Sequence, residues 1–128
     1  MNEEVRAWVA KAEGDYEVAL REFRARKAPC HDAVCFHAQQ CIEKYLKAVA
    51  AKNRIAVRRI HDLVPLLQPL TPFHPLWIAM TSDLEMLSQY AVKFRYPGES
   101  ATRVKARAAA EAMKRCRCEI REGLGLGA

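Results

Sequence analysis

Cys30-His31-Asp32-Ala33-Val34-Cys35-Phe36-His37-Ala38-Gln39-Gln40-Cys41-Ile42-Glu43-Lys44-Tyr45-Leu46-Lys47-Ala48-Val49-Ala50-Ala51-Lys52 is the stretch that decides the fold. Val34, Ala38, Cys41, Ile42, Tyr45 and Val49 recur at spacings of three and four and form one apolar stripe of a helix. At about 100° per residue, Asp32, Phe36, Gln40, Glu43 and Lys47 fall on the opposite side. Phe36 is thus an apolar residue on an otherwise polar face. A helix with something to bury on two sides is central in its domain or touches a second subunit.

Working outward, Pro29 closes the connection to an earlier helix, predicted from about Glu3 to Arg26. Val5, Trp8, Val9, Ala12, Tyr16, Ala19, Leu20 and Phe23 share its stripe. On the other side, Asn53 ends the central helix and a basic linker follows, Arg54-Ile55-Ala56-Val57-Arg58-Arg59. A short helix is predicted from His61 to about Gln68, with Leu63, Leu66 and Leu67 inward, and Pro69, Pro72 and Pro75 punctuate the turn after it. A fourth helix is predicted from about Leu76 to Phe94, ending at Arg95-Tyr96-Pro97-Gly98. A fifth runs from Ser100 or Thr102 to Glu122, and the Gly-Leu-Gly-Leu-Gly tail is expected to fray. No strand alternation, internal repeat or interdomain linker is visible. The expected fold is all-α: a single domain over 1–128, with its core in about 3–122 and a flexible tail at 123–128. It is an antiparallel up-and-down bundle of four main helices plus a short one.

Composition agrees with one core: 51% of the 128 residues are apolar and 28% are charged. No apolar run reaches the roughly 18–20 residues of a membrane span. Met1-Asn2-Glu3-Glu4 lacks the basic and apolar blocks of a signal peptide, so a cytoplasmic location is expected. The five cysteines, odd in number and without an export signal, read as free thiols. The formal charge of +6 leans towards an anionic partner, with a solvated basic surface as the plain alternative. His37 and Cys41, one turn apart, could ligate a metal, and so could a site built with Cys30, His31 and Cys35. No second pair has zinc-site spacing, so no metal or other cofactor is expected.

Four pieces then occur in order: Trp8, Ala12, Asp15 and Ala19 in the first helix; Phe36 to Ala48, with its Q-Q-x-x-E-K-x-L-K-A run; His61-Asp62-Leu63 followed by Leu66-Leu67; and Arg95-Tyr96-Pro97. Together they resemble the HEPN family, in its branch of small stand-alone proteins, over roughly residues 3 to 120. The resemblance implies an antiparallel bundle, often a homodimer, associated with nucleotides or RNA. Members are frequently paired with a small nucleotidyltransferase in toxin–antitoxin systems. Some are metal-independent ribonucleases that use an Arg and a His four to six residues apart, usually late in the bundle.

Here that late place holds Arg95-Tyr96-Pro97, and no His follows His74, so the standard ribonuclease motif is missing where it is expected. Arg24 or Arg26 with His31, and Arg54 with His61, have the spacing elsewhere. The catalytic candidates are therefore His61 as base with Arg54 or Arg95 as phosphate clamp. The candidates for a nucleotide or phosphate pocket are Arg58, Arg59, His61, Asp62, Arg95 and Tyr96. The plainer alternative makes Asp62 a helix cap, His61 its packing partner and Arg95 a bond to carbonyls at a helix end. Phe36, Gln39, Gln40, Glu43, Lys44 and Lys47 are candidates for a groove or dimer surface, with a solvated Glu43–Lys47 pair as the simpler alternative. The fifth helix, carrying Arg103, Lys105, Arg107, Lys114, Arg115, Arg117 and Arg121, is the most basic element. Three functions stay open: an interaction protein, a ribonuclease toxin, and a helical adaptor with no ligand.

Overall fold

In the computed structural model, which describes residues 1–128, five α-helices follow one another. They are α1 (Glu3–Arg24), α2 (His31–Lys52), α3 (Leu63–Leu67), α4 (Thr81–Ser88) and α5 (Arg103–Gly123). Short 3-10 turns occupy Gln68–Leu70, Pro75–Met80 and Gln89–Ala91, and there is no strand. The molecule is the all-α bundle expected. Asn2 caps α1 by accepting the Val5 amide at 2.9 Å, and Thr102 caps α5 by accepting that of Lys105 at 3.2 Å.

Helix α2 is the axis. It packs along α1 on one side and α5 on the other, and touches α3 and α4. Small residues make the close approach possible: Ala12 and Ala19 on α1, Ala38 and Ala48 on α2, and Ala106, Ala109, Ala110 and Ala112 on α5 are all buried. The space above them is filled by Tyr45, Ile42 and Leu46 of α2, Leu84 and Leu87 of α4, and Met113 and Ile120 of α5.

The fourth segment is shorter than its apolar periodicity predicts. Only Thr81–Ser88 is α-helical within the expected 76–94. Pro75 opens a tighter 3-10 turn that sends Trp77 inward, stacked on His74 with ring centroids 3.8 Å apart, while Leu76 and Ile78 stay exposed. At the far end Ser88 Oγ donates back to the Leu84 carbonyl at 2.8 Å and accepts the Leu63 amide at 2.9 Å. The start of α3 is thus capped from across the bundle by Ser88, and Asp62, expected to do this, makes no capping bond.

Two helix ends wrap in the same way. After α5 the Leu126 amide reaches the Arg121 carbonyl at 2.9 Å and Gly125 reaches Glu122 at 3.0 Å, with Gly125 at φ +76°. The Arg121 guanidinium donates to the Gly127 carbonyl at 2.8 Å, and Leu124 is buried. The chain after α5 turns back on the end of the helix. After α2 the Ile55 amide reaches Ala50 at 2.8 Å and Arg54 reaches Ala51 at 3.2 Å, but the left-handed position, φ +57°, is held by Arg54 instead of glycine.

Candidate functional site

The polar stripe of α2 is covered almost entirely from within the chain. Glu43 is its centre, only 4% exposed. Its Oε1 accepts from Gln39 Nε2 at 3.1 Å and from His61 Nδ1 at 2.9 Å, and its Oε2 accepts from Lys47 Nζ at 3.0 Å. Gln39 Nε2 also donates to the His61 carbonyl at 2.8 Å, and Gln40 donates to Gln39 Oε1 at 2.7 Å. Lys47, 6% exposed, extends towards the Trp8 ring of α1, 5.7 Å from its centroid. Burial pushes the Glu43 carboxyl up, but the bonds from Gln39, His61 and Lys47 outweigh it and hold it below the usual carboxylate range.

The Glu43–Lys47 pair expected at i, i+4 is therefore present but enclosed, not solvated. Gln39, Glu43 and Lys47, expected to line a groove or a dimer surface, are inside the fold and offer no surface to a partner. The linker 53–62 closes over them because Ile55, Val57 and Ile60 pack down on the core while Arg54, Arg58 and Arg59 face out.

His61 remains 66% exposed on the outside of this network. Since an ionised carboxylate only accepts, His61 Nδ1 carries the proton and its Nε2 is the free nitrogen. It opens with Arg58, Asp62 and Ser88 onto a shallow cleft of about 560 Å³. Arg95 is not in that cleft. It lines a second one, of about 290 Å³, with Asp32, Phe36, His37, Tyr90 and Phe94. Its guanidinium sits 5.8 Å from the centroid of the Phe36 ring, and Phe36 meets His37 edge-on at 5.3 Å. The two clefts share no lining residue and meet across the Gln89–Ala91 turn, where Tyr90 borders one and Ala91 the other. Arg59 and Tyr96 are exposed and line neither, and Arg54 serves as the turn residue after α2.

One constellation joins residues that the sequence had not placed together. Asp15 of α1, buried, accepts from His37 Nδ1 at 2.7 Å and from Lys44 Nζ at 2.6 Å. Burial raises its pKa, and the bonds from His37 and Lys44 more than reverse this and lower it. His37 is thus fixed by a carboxylate with its other nitrogen free, in the same cleft as Arg95. The signal for it was a carboxylate at position 15, on the apolar stripe of α1 shared by Trp8, Ala12 and Ala19. Lys44 is tied inward here instead of facing a partner.

Another network crosses the helix interfaces. Arg117 of α5 donates twice to Glu13 of α1, both at 2.7 Å, and lies 4.0 Å from the Tyr16 ring centroid. Tyr45 OH donates to Glu13 at 2.5 Å and accepts from Arg121 at 3.0 Å. The Arg117 bond holds Glu13 below the usual range. Arg115 pairs with Asp83 at 2.9 Å. Three of the basic residues of α5 are thereby engaged within the fold, sharing the two carboxylates Glu13 and Asp83. No group of three His, Cys, Asp or Glu side chains is placed to share a metal ion. Cys41 is buried in the core and His37 is already engaged.

Comparison with known proteins agrees with this architecture. The HEPN domain model matches residues 5–122. The crystal structure of TT1696 from Thermus thermophilus is similar to this chain with a TM-score of 0.82 and 21% sequence identity. The alignment covers 96% of this chain and 99% of that one. At that identity the likeness bears on fold alone. Among curated proteins the chain has no match.

Proposed function

The chain belongs to the HEPN domain family, whose members are nucleotide- and RNA-associated helical bundles, and on that basis we propose that it is a nucleotide- or RNA-associated interaction protein. The observation that carries the proposal is the cleft of Arg95. Phe36, Tyr90 and Phe94 offer a base an aromatic surface, Arg95 offers a phosphate a fork of donors, and His37 adds a polar edge. The neighbouring Arg58–His61 cleft extends the same face. Calorimetric titration with AMP tests this. Micromolar-range binding is expected, and Arg95→Ala is expected to weaken it roughly 10- to 100-fold, the worth of a hydrogen bond to a charged group. Unchanged affinity in Arg95→Ala refutes the assignment.

The reading extends to a cytoplasmic homodimer partnered by a nucleotidyltransferase in a toxin–antitoxin pair, as the family implies. No helix is long and apolar enough to cross a membrane. The apolar residues that support a protein-facing surface are Phe73, Leu76 and Ile78, with Leu76 86% exposed. Lys114 and Glu119, of opposite charge, line the adjoining groove, which suits self-association about a two-fold axis. Light scattering should find a dimer that Leu76→Glu converts to monomer.

A second reading, a metal-independent ribonuclease, is favoured by the Asp15–His37 pair. His37 Nε2 would take the proton of a 2′-hydroxyl as that oxygen attacks phosphorus and the 5′-oxygen leaves, with Arg95 holding the phosphorane charge. His61 does not share the cleft of Arg95, so it does not fill this role. Cleavage of a structured RNA in chelator, lost in His37→Ala, is the expected result; activity that survives the substitution eliminates the reading.

A further inference from the structure

A third cleft, about 460 Å³, lies where α1 ends and α5 begins. Arg24, Arg26 and Arg103 line it together with Phe23, Ala25 and Pro29, and no carboxylate does. None of the three arginines has an acidic partner within ion-pair distance. Arg24 favours the negative end of the α1 dipole and is accounted for by it. Arg26, one residue past the Ala25 cap, shares that end, whereas Arg103 is not accounted for by any dipole.

Arg103 is placed against electrostatic preference. It opens α5, whose positive dipole end favours acids, and the first turn of α5 contains none. Lys105 follows in the same turn. Arg103 is nevertheless held in position by the Phe23 ring, 5.1 Å from its centroid. Like charges gathered at the wrong helix end destabilise the free protein, and an anion relieves both penalties at once.

The same turn reaches the cleft of Arg95. Lys105 Nζ lies 5.8 Å from the ring centroid of Phe94, which lines that cleft, and Lys93 lies at the same distance from it. The nearby acids are largely occupied: Asp32 accepts the Ala101 amide at 2.6 Å and Glu22 accepts that of Cys30 at 2.6 Å. Glu99 is the exposed acid of the intervening loop. Cations therefore run from the Arg95 cleft across the start of α5 to the three-arginine cleft.

We infer that the three-arginine cleft is a second phosphate subsite, so that the ligand is an RNA strand of several nucleotides spanning both clefts and not a mononucleotide. This rests on the nucleotide reading of the Arg95 cleft. The test compares AMP and octa-adenylate on the parent chain, on Arg95→Ala and on the double variant Arg26→Gln/Arg103→Gln. The altered arginines are exposed, and unchanged circular dichroism controls for folding. Octa-adenylate should bind the parent at least about tenfold tighter than AMP. The double variant should lose most of that margin, keep its AMP affinity within about twofold, and show a salt slope reduced by about 1.4, from two phosphate contacts at about 0.7 each. Octa-adenylate binding no tighter than AMP, or equally tight in parent and double variant, overturns the inference. Absent AMP binding instead refutes the Arg95 cleft, and the octa-adenylate comparison still decides the arginine subsite.

Discussion

Replacing Glu43 by Leu keeps the volume of the side chain and removes the charge at the centre of the α2 stripe. Lys47, 6% exposed, is then left enclosed without its 3.0 Å partner, and Gln39 and His61 each lose an acceptor. Breaking one side of a buried ion pair costs about 3–5 kcal/mol. The lower end applies because the Lys47 stem can shift along Trp8 to bring its ammonium to water. A loss of about 3 kcal/mol lowers the Tm of a chain this size by roughly 12 °C, taking about 4 °C per kcal/mol. The double variant Glu43→Leu/Lys47→Met removes both charges and should recover at least half of the loss. Thermal melts of parent, both single variants and the double variant give the full cycle. A loss under about 1 kcal/mol for Glu43→Leu, or a double variant as unstable as the sum of its singles, would refute the view that this pair is enclosed and coupled.

The same network predicts acid lability. Glu43, Asp15 and Glu13 all have folded pKa values below their unfolded ones, so their contribution is complete at neutral pH. It declines as pH falls below the unfolded values of about 4 and through the lower folded ones, which urea midpoints measured from pH 7 to pH 3 will follow. Gly123→Ala should destabilise α5 by about 1–3 kcal/mol despite the better helix propensity of alanine, because the new methyl falls against the Trp77 ring; a raised Tm would contradict that packing. Arg54→Gly should stabilise by about 1 kcal/mol in urea melts, because glycine takes the left-handed turn conformation without strain. A thiol reagent should label Cys30 and Cys118 rapidly and the other three only after unfolding. Cys35, Cys41 and Cys116 are buried, and burial pushes Cys35 and Cys116 up to about 12; rapid labelling of more than two thiols in the folded protein contradicts this.

The residues that carried the family resemblance meet in space. Glu43 of the central helix, itself paired with Lys47, holds His61 from the third motif, and Arg95 from the fourth lies over Phe36. Sequence spacing placed Phe36, Gln40, Glu43 and Lys47 on one stripe, but it left their surroundings open. A polar stripe reads alike whether water, a partner or the chain itself covers it. Glu43 is covered because linker 53–62 lays Ile55, Val57 and Ile60 on the core and brings His61 onto it, and Lys47 is covered along Trp8 of α1.

Helix number, the apolar ridge of residues 31–52 and the cap at Thr102 depend on neighbours within a turn or two. Local periodicity and short-range hydrogen bonding determine such features, so the sequence alone was enough to read them. The pairing of Asp15 with His37 and Lys44, the separation of His61 from Arg95 and the meeting of Arg24 and Arg26 with Arg103 join side chains up to 79 positions apart. Those were decided only by the packing of α1 and α5 against α2, because the direction in which a charged side chain finds its partner is set by helix approach and rotation, which no local spacing encodes.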